Sequence, residues 1–214
     1  MVLRRFMARA KLKWRLSRLH NEIERIERAY RERDASGVTA LYSYENPAFL
    51  FHMQEREKAL LKALKNSGFR FPGKSVLEVG CGTGHILHRF LEFGASHAAG
   101  IELMPNRVLQ AKQSYPALDI QQGNAAALPY PDDSFDLVTQ FMCISSVHEP
   151  ELRRKIAVEM WRVLKPGGVF MSYDLRPTLG IYGLTRAFLG KLRRRFTHHA
   201  NSIDTTSSLH VTPI

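Results

Sequence analysis

The chain has 214 residues, 44% hydrophobic and 24% charged, enough for one substantial domain with its own core, short of two, and too apolar to be disordered throughout. Two cysteines, Cys81 and Cys143, make neither a disulfide framework nor a CxxC pair, which fits a reducing, cytoplasmic compartment and leaves no thiolate metal site to expect. The net charge of +11 belongs to the flanks: residues 1–34 sum to +6, residues 35–175 to zero and residues 176–214 to +5.

At the N-terminus, apolar residues at 3, 7, 10 and 14 form one helical stripe, and those at 12, 16, 19, 23, 26 and 30 form a second. At about 100° per residue the two stripes face nearly opposite ways, so the basic arm, residues 1–36, is expected as two packed segments or one kinked helix. The basic residues there precede no apolar core of a secretory signal, and no stretch is long and apolar enough to span a bilayer. A Tyr-rich connector, LYSYENPAF (41–49), leads to a helix expected over Leu50–Lys65.

An alternation follows: strand Ser75–Val79, helix Gly84–Phe93, strand His97–Ile101, helix Pro105–Ser114, strand Asp119–Gln121, strand Phe135–Phe141, helix Glu151–Leu164 and strand Gly168–Tyr173. Strands joined by helices of this length need right-handed crossovers, hence a parallel sheet. The expected core, residues 37–175, is an open, mostly parallel α/β sheet with helices on both faces. Beyond it, residues 176–214 carry a basic amphipathic helix (Ile181, Leu184, Phe188, Leu192 and Phe196 bordered by Arg186, Lys191, Arg193, Arg194 and Arg195) and a tail. SSLHVTPI (207–214) can supply a single strand.

The stretch VLEVGCGTG (76–84) ends the first strand in three alternate glycines. In an open α/β sheet the ligand lies at the carboxyl ends of the strands, and glycine there permits positive φ and lets backbone N–H groups approach the ligand. A dinucleotide turn reads GxGxxG, whereas Gly80, Gly82 and Gly84 read GxGxG. Glu78, just before the turn, would repel a diphosphate and suits a cationic or ammonium group.

Four ordered elements, VLEVGCGTG, GIELM (100–104), QGNAAALPYPDDSFDLV (122–138) and RVLKPGG (162–168), resemble the class I S-adenosylmethionine-dependent methyltransferases, in particular the type 11 group that includes the ubiquinone and menaquinone biosynthesis enzymes. The resemblance covers roughly residues 74–175 and implies a Rossmann-like fold that usually finishes in an antiparallel strand pair, here short or missing. It implies S-adenosylmethionine as cofactor, its methionine part over Gly80, Cys81 and Gly82 with Glu78 near the ammonium. Gly84 completes the turn as a further cofactor contact, unless it only close-packs helix and strand, and Glu102, 18 residues further on, would accept from both ribose hydroxyls. Leu103 and Met104 would flank the adenine. Asn124 stands where the family usually has Asp, with Ala125 N–H beside it.

Methyl transfer from a sulfonium needs alignment of acceptor and methyl more than it needs a covalent intermediate. The His pair of many small-molecule members is replaced by Ser145 and Ser146, which leaves His148 as the candidate base and Gln140, at the end of its strand, as a cofactor or acceptor contact. The acceptor expected is a small molecule or lipid-like compound, and the basic flanks suit peripheral attachment to an anionic membrane. Two other readings stand beside it: a catalytically silent cofactor-binding or interaction subunit, and a nucleic-acid methyltransferase, for which no recognition module accompanies the charge.

Overall fold

A computed structural model of the chain describes residues 2–174 and 208–213. The elements are α1 (Val2–Ala35), α2 (Pro47–Asn66), β1 (Ser75–Val79), α3 (His85–Glu92), β2 (His97–Glu102), α4 (Pro105–Ser114), β3 (Asp119–Gln122), β4 (Phe135–Phe141), α5 (Pro150–Arg162), β5 (Leu164–Asp174) and β6 (Ser208–Pro213). Single 3-10 turns lie at Val38–Tyr42 and Ile144–Ser146.

The six strands lie in the order β3-β2-β1-β4-β5-β6. The first five are parallel, and β6 runs antiparallel to β5 from Asp174↔Ser208 to Val169↔Pro213. The strand order reverses between β1 and β4, so their carboxyl ends open a crevice. Successive strand residues face opposite sides. Val76, Ala98, Ile120, Leu137 and Met171 pack under α2, α3 and α4 through Leu64, Phe90 and Val108. Leu77, Ala99, Ile101, Val138 and Phe170 pack on α5 and α1 through Ile156, Met160 and Ile26. This period of two, buried on both sides, is what a central parallel strand requires.

Several boundaries differ from expectation for local reasons. α1 is one helix of 34 residues without a break, not two segments; its later stripe, Leu19, Ile23, Ile26 and Tyr30, is the one that meets the core, while Leu16 is exposed. α2 begins earlier, at Pro47, because the Asn46 side chain accepts from Ala48 N–H at 3.1 Å and proline suits the first helical position. β5 starts at Leu164 because Phe135 pairs with Leu164 and Leu137 with Val169, so the Lys165–Gly168 turn bulges out of an already paired strand. The expected basic helix of residues 176–199 lies outside the described residues. Among the described residues β6 is a single antiparallel strand rather than a pair.

The later half of α1 packs on the core. Glu22, 8% exposed, accepts from Arg25, from Glu149 N–H at 3.2 Å and from His148 N–H. Arg25 also donates to Ser146 O at 2.6 Å. Burial pushes the Glu22 carboxyl up, yet the Arg25 bond and the two backbone donors outweigh it and hold its pKa at about 2. At the other end Asp34 accepts from Arg107 at 3.0 Å and Asn106 at 3.3 Å on α4. The helix is thereby tied to both banks of the crevice.

Candidate active site

A cleft of about 570 Å³ lies over the carboxyl ends of β1, β2 and β4, within the range of roughly 300–1,000 Å³ typical of small-molecule sites. Its floor includes Glu78, Gly80, Cys81, Gly82, Glu102, Leu103, Met104, Asn124 and Ala125. The parallel register explains the grouping, since Glu78 pairs with Gly100 and Val79 with Ile101, which brings the β1 turn beside the end of β2.

All three glycines of the turn have positive φ, Gly80 at 73°, Gly82 at 55° and Gly84 at 79°, but each serves a different neighbour. A Cβ on Gly80 would stand 2.9 Å from the Cys143 Cβ and Sγ, whereas one on Gly82 would meet nothing within 4 Å and would project into open space. One on Gly84 would press on Leu118 and Ile120 at 2.9 and 3.0 Å. Gly84 is absent from the cleft lining: it starts α3 and lets that helix close on the β3 side, so the expected ligand contact there is corrected to a packing role.

Two carboxylates define the polar floor. Glu102, 7% exposed, accepts from Gly82 N–H and from Met104 N–H, each at 2.9 Å. It therefore holds the glycine turn to the end of β2 while each oxygen retains further accepting capacity. Glu78 is 2% exposed and its Oε2 has no hydrogen-bond partner. Burial, partly offset by the charge of Arg56 and reinforced by that of Glu102, raises its pKa to about 8. An unpartnered oxygen of this kind beside an open glycine is complementary to a cationic donor such as an ammonium. Asn124 turns its side-chain oxygen back to Ala126 N–H at 2.9 Å, which sets the loop after β3.

Cys81 is buried, with its sulfur packed under Gly100 of β2, and burial pushes its thiol well above the ordinary range. Cys143 is pushed up to about 12, again chiefly by burial. Neither presents a thiolate at neutral pH.

Two expectations are overturned. Gln140 is fully buried and does not line the cleft. Its side-chain oxygen accepts from Cys143 N–H at 2.9 Å and Ile144 N–H at 3.2 Å, and its nitrogen donates to Ser172 and Asp174. It braces the loop after β4 against β5, and no donor or acceptor is left for a ligand. His148 is exposed and lies outside the cleft, because its backbone N–H is drawn to Glu22 of α1. Its ring is not set to take a proton from an acceptor.

The walls and roof come from segments that carried no ligand expectation. Ile23, Ile26 and Tyr30 of α1, Tyr42 and Tyr44 of the connector, and Phe49, Met53 and Arg56 of α2 line the cleft with Phe141 and Tyr173. Tyr30 is held between the guanidinium groups of Arg33 and Arg107, 4.3 and 4.4 Å from its ring centre, with its hydroxyl 3.1 Å from Ser146 Oγ. Phe49 meets Tyr42 and Tyr44 edge-on at 5.8 and 5.5 Å. The aromatic density of residues 41–49 was the available signal; contact with the cleft depends on how α1 and α2 fold back. Among the described residues no group of three or more metal-ligating side chains occurs.

Residues 77–172 match the family model described as a methyltransferase domain. A demethylmenaquinone methyltransferase of Renibacterium salmoninarum is 36% identical over 110 residues, covering 51% of this chain and 45% of the relative. A phthiotriol/phenolphthiotriol dimycocerosates methyltransferase of Mycobacterium tuberculosis is 40% identical over 114 residues, covering 49% of this chain and 39% of the relative. The chain thus spans less than half the length of these curated relatives. The PH0226 protein of Pyrococcus horikoshii superposes with a TM-score of 0.59 at 20% identity, covering 81% of this chain and 94% of that one, a likeness of fold. The matched segment runs from β1 through β5 of the sheet seen here, and over residues 77–172 the chain is similar to methyltransferase domains.

Proposed function

We propose that the protein transfers a methyl group from S-adenosylmethionine to a small acceptor with an apolar body. The observation that carries this reading is the pairing of an unpartnered, buried Glu78 oxygen with the open face of Gly82, in a cleft whose other bank ends in Glu102. When bound, the cofactor supplies a sulfonium methyl that an acceptor atom can displace in line. Glu78 would receive the ammonium, the backbone at Gly80, Cys81 and Gly82 would bear the methionine part, and Glu102 would accept from the ribose hydroxyls. Leu103, Met104, Asn124 and Ala125 would enclose the adenine.

The chain's own contribution to the chemistry is positioning and exclusion of water. α1 and the 41–49 connector roof the cleft with aliphatic and aromatic side chains, so an acceptor held beneath them is aligned and desolvated together. Incubation with methyl-labelled S-adenosylmethionine and a crude small-molecule and lipid extract is expected to release S-adenosylhomocysteine and move label into an organic-soluble product. Tight cofactor binding with no label transferred would favour the catalytically silent subunit instead, and label in nucleic acid would favour the other alternative.

An apolar acceptor of the kind named for the phthiotriol relative fits this lining, and an apolar compound partitions out of water into a membrane. Leu41, Tyr42 and Phe51 are 61%, 56% and 65% exposed in a segment that reaches the cleft, and the start of α1 carries Arg4, Arg5, Arg9, Lys11 and Lys13. Exposed apolar side chains on a chain that also carries a basic segment suit peripheral binding to an anionic bilayer; among the described residues no helix is long and apolar enough to cross one. The protein is expected to co-sediment with acidic-lipid vesicles at 0.1 M salt and to be released near 1 M, where the Debye length falls from about 10 to about 3 Å. Equal binding to neutral vesicles, or none to either, would remove this attachment.

A further inference from the structure

The cleft has two unlike halves. Its β1 and β2 half carries the glycine turn and the two carboxylates, the features to which the proposed function assigns the cofactor. Its β4 and β5 half is bounded by Phe141, Met142 and Tyr173 below and by Met53 and Arg56 of α2 above. Into that aromatic half projects one guanidinium. Arg56 lies 5.5 Å from the ring centre of Phe141 and 5.9 Å from that of Tyr173, and it donates a hydrogen bond to the Met53 sulfur at 2.9 Å.

Among the described residues no carboxylate lies within ion-pair distance of Arg56, although Arg25, Arg107 and Arg162, also half-buried, hold Glu22, Asp34 and Glu159. A guanidinium has five N–H donors in a fixed fork. A thioether is a weak acceptor, and the aromatic faces take charge but make no N–H···O bond. Withdrawing such a group from water without acceptors is costly, and a forked donor of this shape matches an oxygen anion better than any other ligand group. Glu78, when ionised, and Glu57 act on Arg56 only through space, with no hydrogen bond to it.

We infer that Arg56 is the specificity-determining residue of the acceptor half, which binds an anionic oxygen on a methyl acceptor whose body is aromatic or apolar. This rests on the methyltransferase reading of the same cleft. The acceptor's apolar body lies against Phe141 and Tyr173, and its charged oxygen, a carboxylate or an ionised hydroxyl, takes the place of the missing carboxylate partner. In the hydroxyl case the guanidinium favours the ionised form of the acceptor, which removes the need for a base at Ser145, Ser146 or His148. The proton leaves to solvent before transfer and the acceptor oxygen becomes the nucleophile.

The test separates the two halves of the cleft. With protein saturated in S-adenosylhomocysteine, calorimetry compares 2-naphthoate with its neutral counterpart 2-naphthamide, and 2-naphthol is titrated by the absorption of its ionised form. The acid is expected to bind about tenfold or more tightly than the amide, a difference that Arg56→Met abolishes and Arg56→Lys retains in part. Both variants are expected to keep S-adenosylhomocysteine binding, Arg56→Lys within about twofold because it keeps the charge that acts on Glu78, which also reports that they fold. A bound naphthol that ionises at lower pH than the free compound identifies an ionised hydroxyl; tight naphthoate with an unshifted naphthol identifies a carboxylate. No preference for the acid over the amide, including no binding of either, overturns the assignment. So does loss of S-adenosylhomocysteine affinity in Arg56→Met, since Arg56 would then serve the cofactor. Failure of the native protein to bind S-adenosylhomocysteine at all counts against the methyltransferase reading itself, and the naphthoate preference can still be measured without it.

Discussion

Glu78→Gln is expected to raise the melting temperature of the ligand-free protein at pH 9, to leave it nearly unchanged at pH 5, and to weaken cofactor binding at both. Burial lifts the Glu78 pKa to about 8 from an ordinary 4.5, so between these values the folded chain holds a proton that the unfolded chain has released. The stability tied to that proton is fully present below about pH 4.5 and is lost as pH rises through 8. Glutamine is uncharged throughout and has nothing to lose. That pKa is already net of the relief from Arg56 and the Leu87 N–H and of the opposing charge of Glu102. The gain at pH 9 is therefore on the order of 2–5 kcal/mol, or roughly 5–15 °C.

The same carboxylate is expected to release a proton when S-adenosylmethionine binds near pH 7, because an ammonium against its free oxygen favours the ionised form. Calorimetry in buffers of different ionisation enthalpy reads that release directly. A melting difference between Glu78→Gln and native protein that is the same at pH 5 and pH 9 would sink the account.

Glu102→Ala carries the second large effect, and it acts twice. Its loss removes the acceptor proposed for the ribose hydroxyls, worth roughly 1.5–3 kcal/mol, or ten- to a hundredfold in affinity. It also leaves the N–H groups of Gly82 and Met104 without the acceptor they have at 2.9 Å. Water can reach the first across the open cleft; the second bond is buried. A destabilisation of about 2 kcal/mol follows, a drop of roughly 4–8 °C in the unliganded protein. Glu102→Gln keeps one acceptor oxygen and should recover part of the melting temperature with less of the affinity. Unchanged melting in Glu102→Ala would mean that the tether between the glycine turn and β2 contributes nothing; unchanged affinity would remove the ribose assignment.

The amino-acid sequence by itself determined the α/β alternation, the parallel sheet and the address of the cleft. Each depends on local spacing: apolar strands flanked by helices, glycines at 80, 82 and 84 that reach positive φ, and a carboxylate at the end of the next strand. Such features survive reading along the chain because backbone geometry and period decide them. The division of labour among the glycines was not legible, because what a Cβ would meet at Gly80 or Gly84 comes from Cys143, Leu118 and Ile120, 34 to 63 positions away.

Only tertiary structure decided which polar side chains are free. Gln140 at a strand end and His148 in a nearby loop look like ligand contacts in one dimension, yet Ser172, Asp174 and the Cys143 and Ile144 amides consume the first, and Glu22 of α1 fixes the backbone of the second. Arg56, on a helix expected over Leu50–Lys65 with no ligand assigned to it, becomes a cation without a carboxylate partner among the described residues because α2 folds over Phe141 and Tyr173. The same folding back turns a basic arm into a roof. Composition records that residues 1–34 are positive, but the contacts of Glu22, Arg25 and Asp34 with elements more than 70 residues distant are what place its apolar stripe over the cleft. Long-range pairing of buried polar groups is set by which partner is nearest in space, and a sequence lists only which is nearest in order.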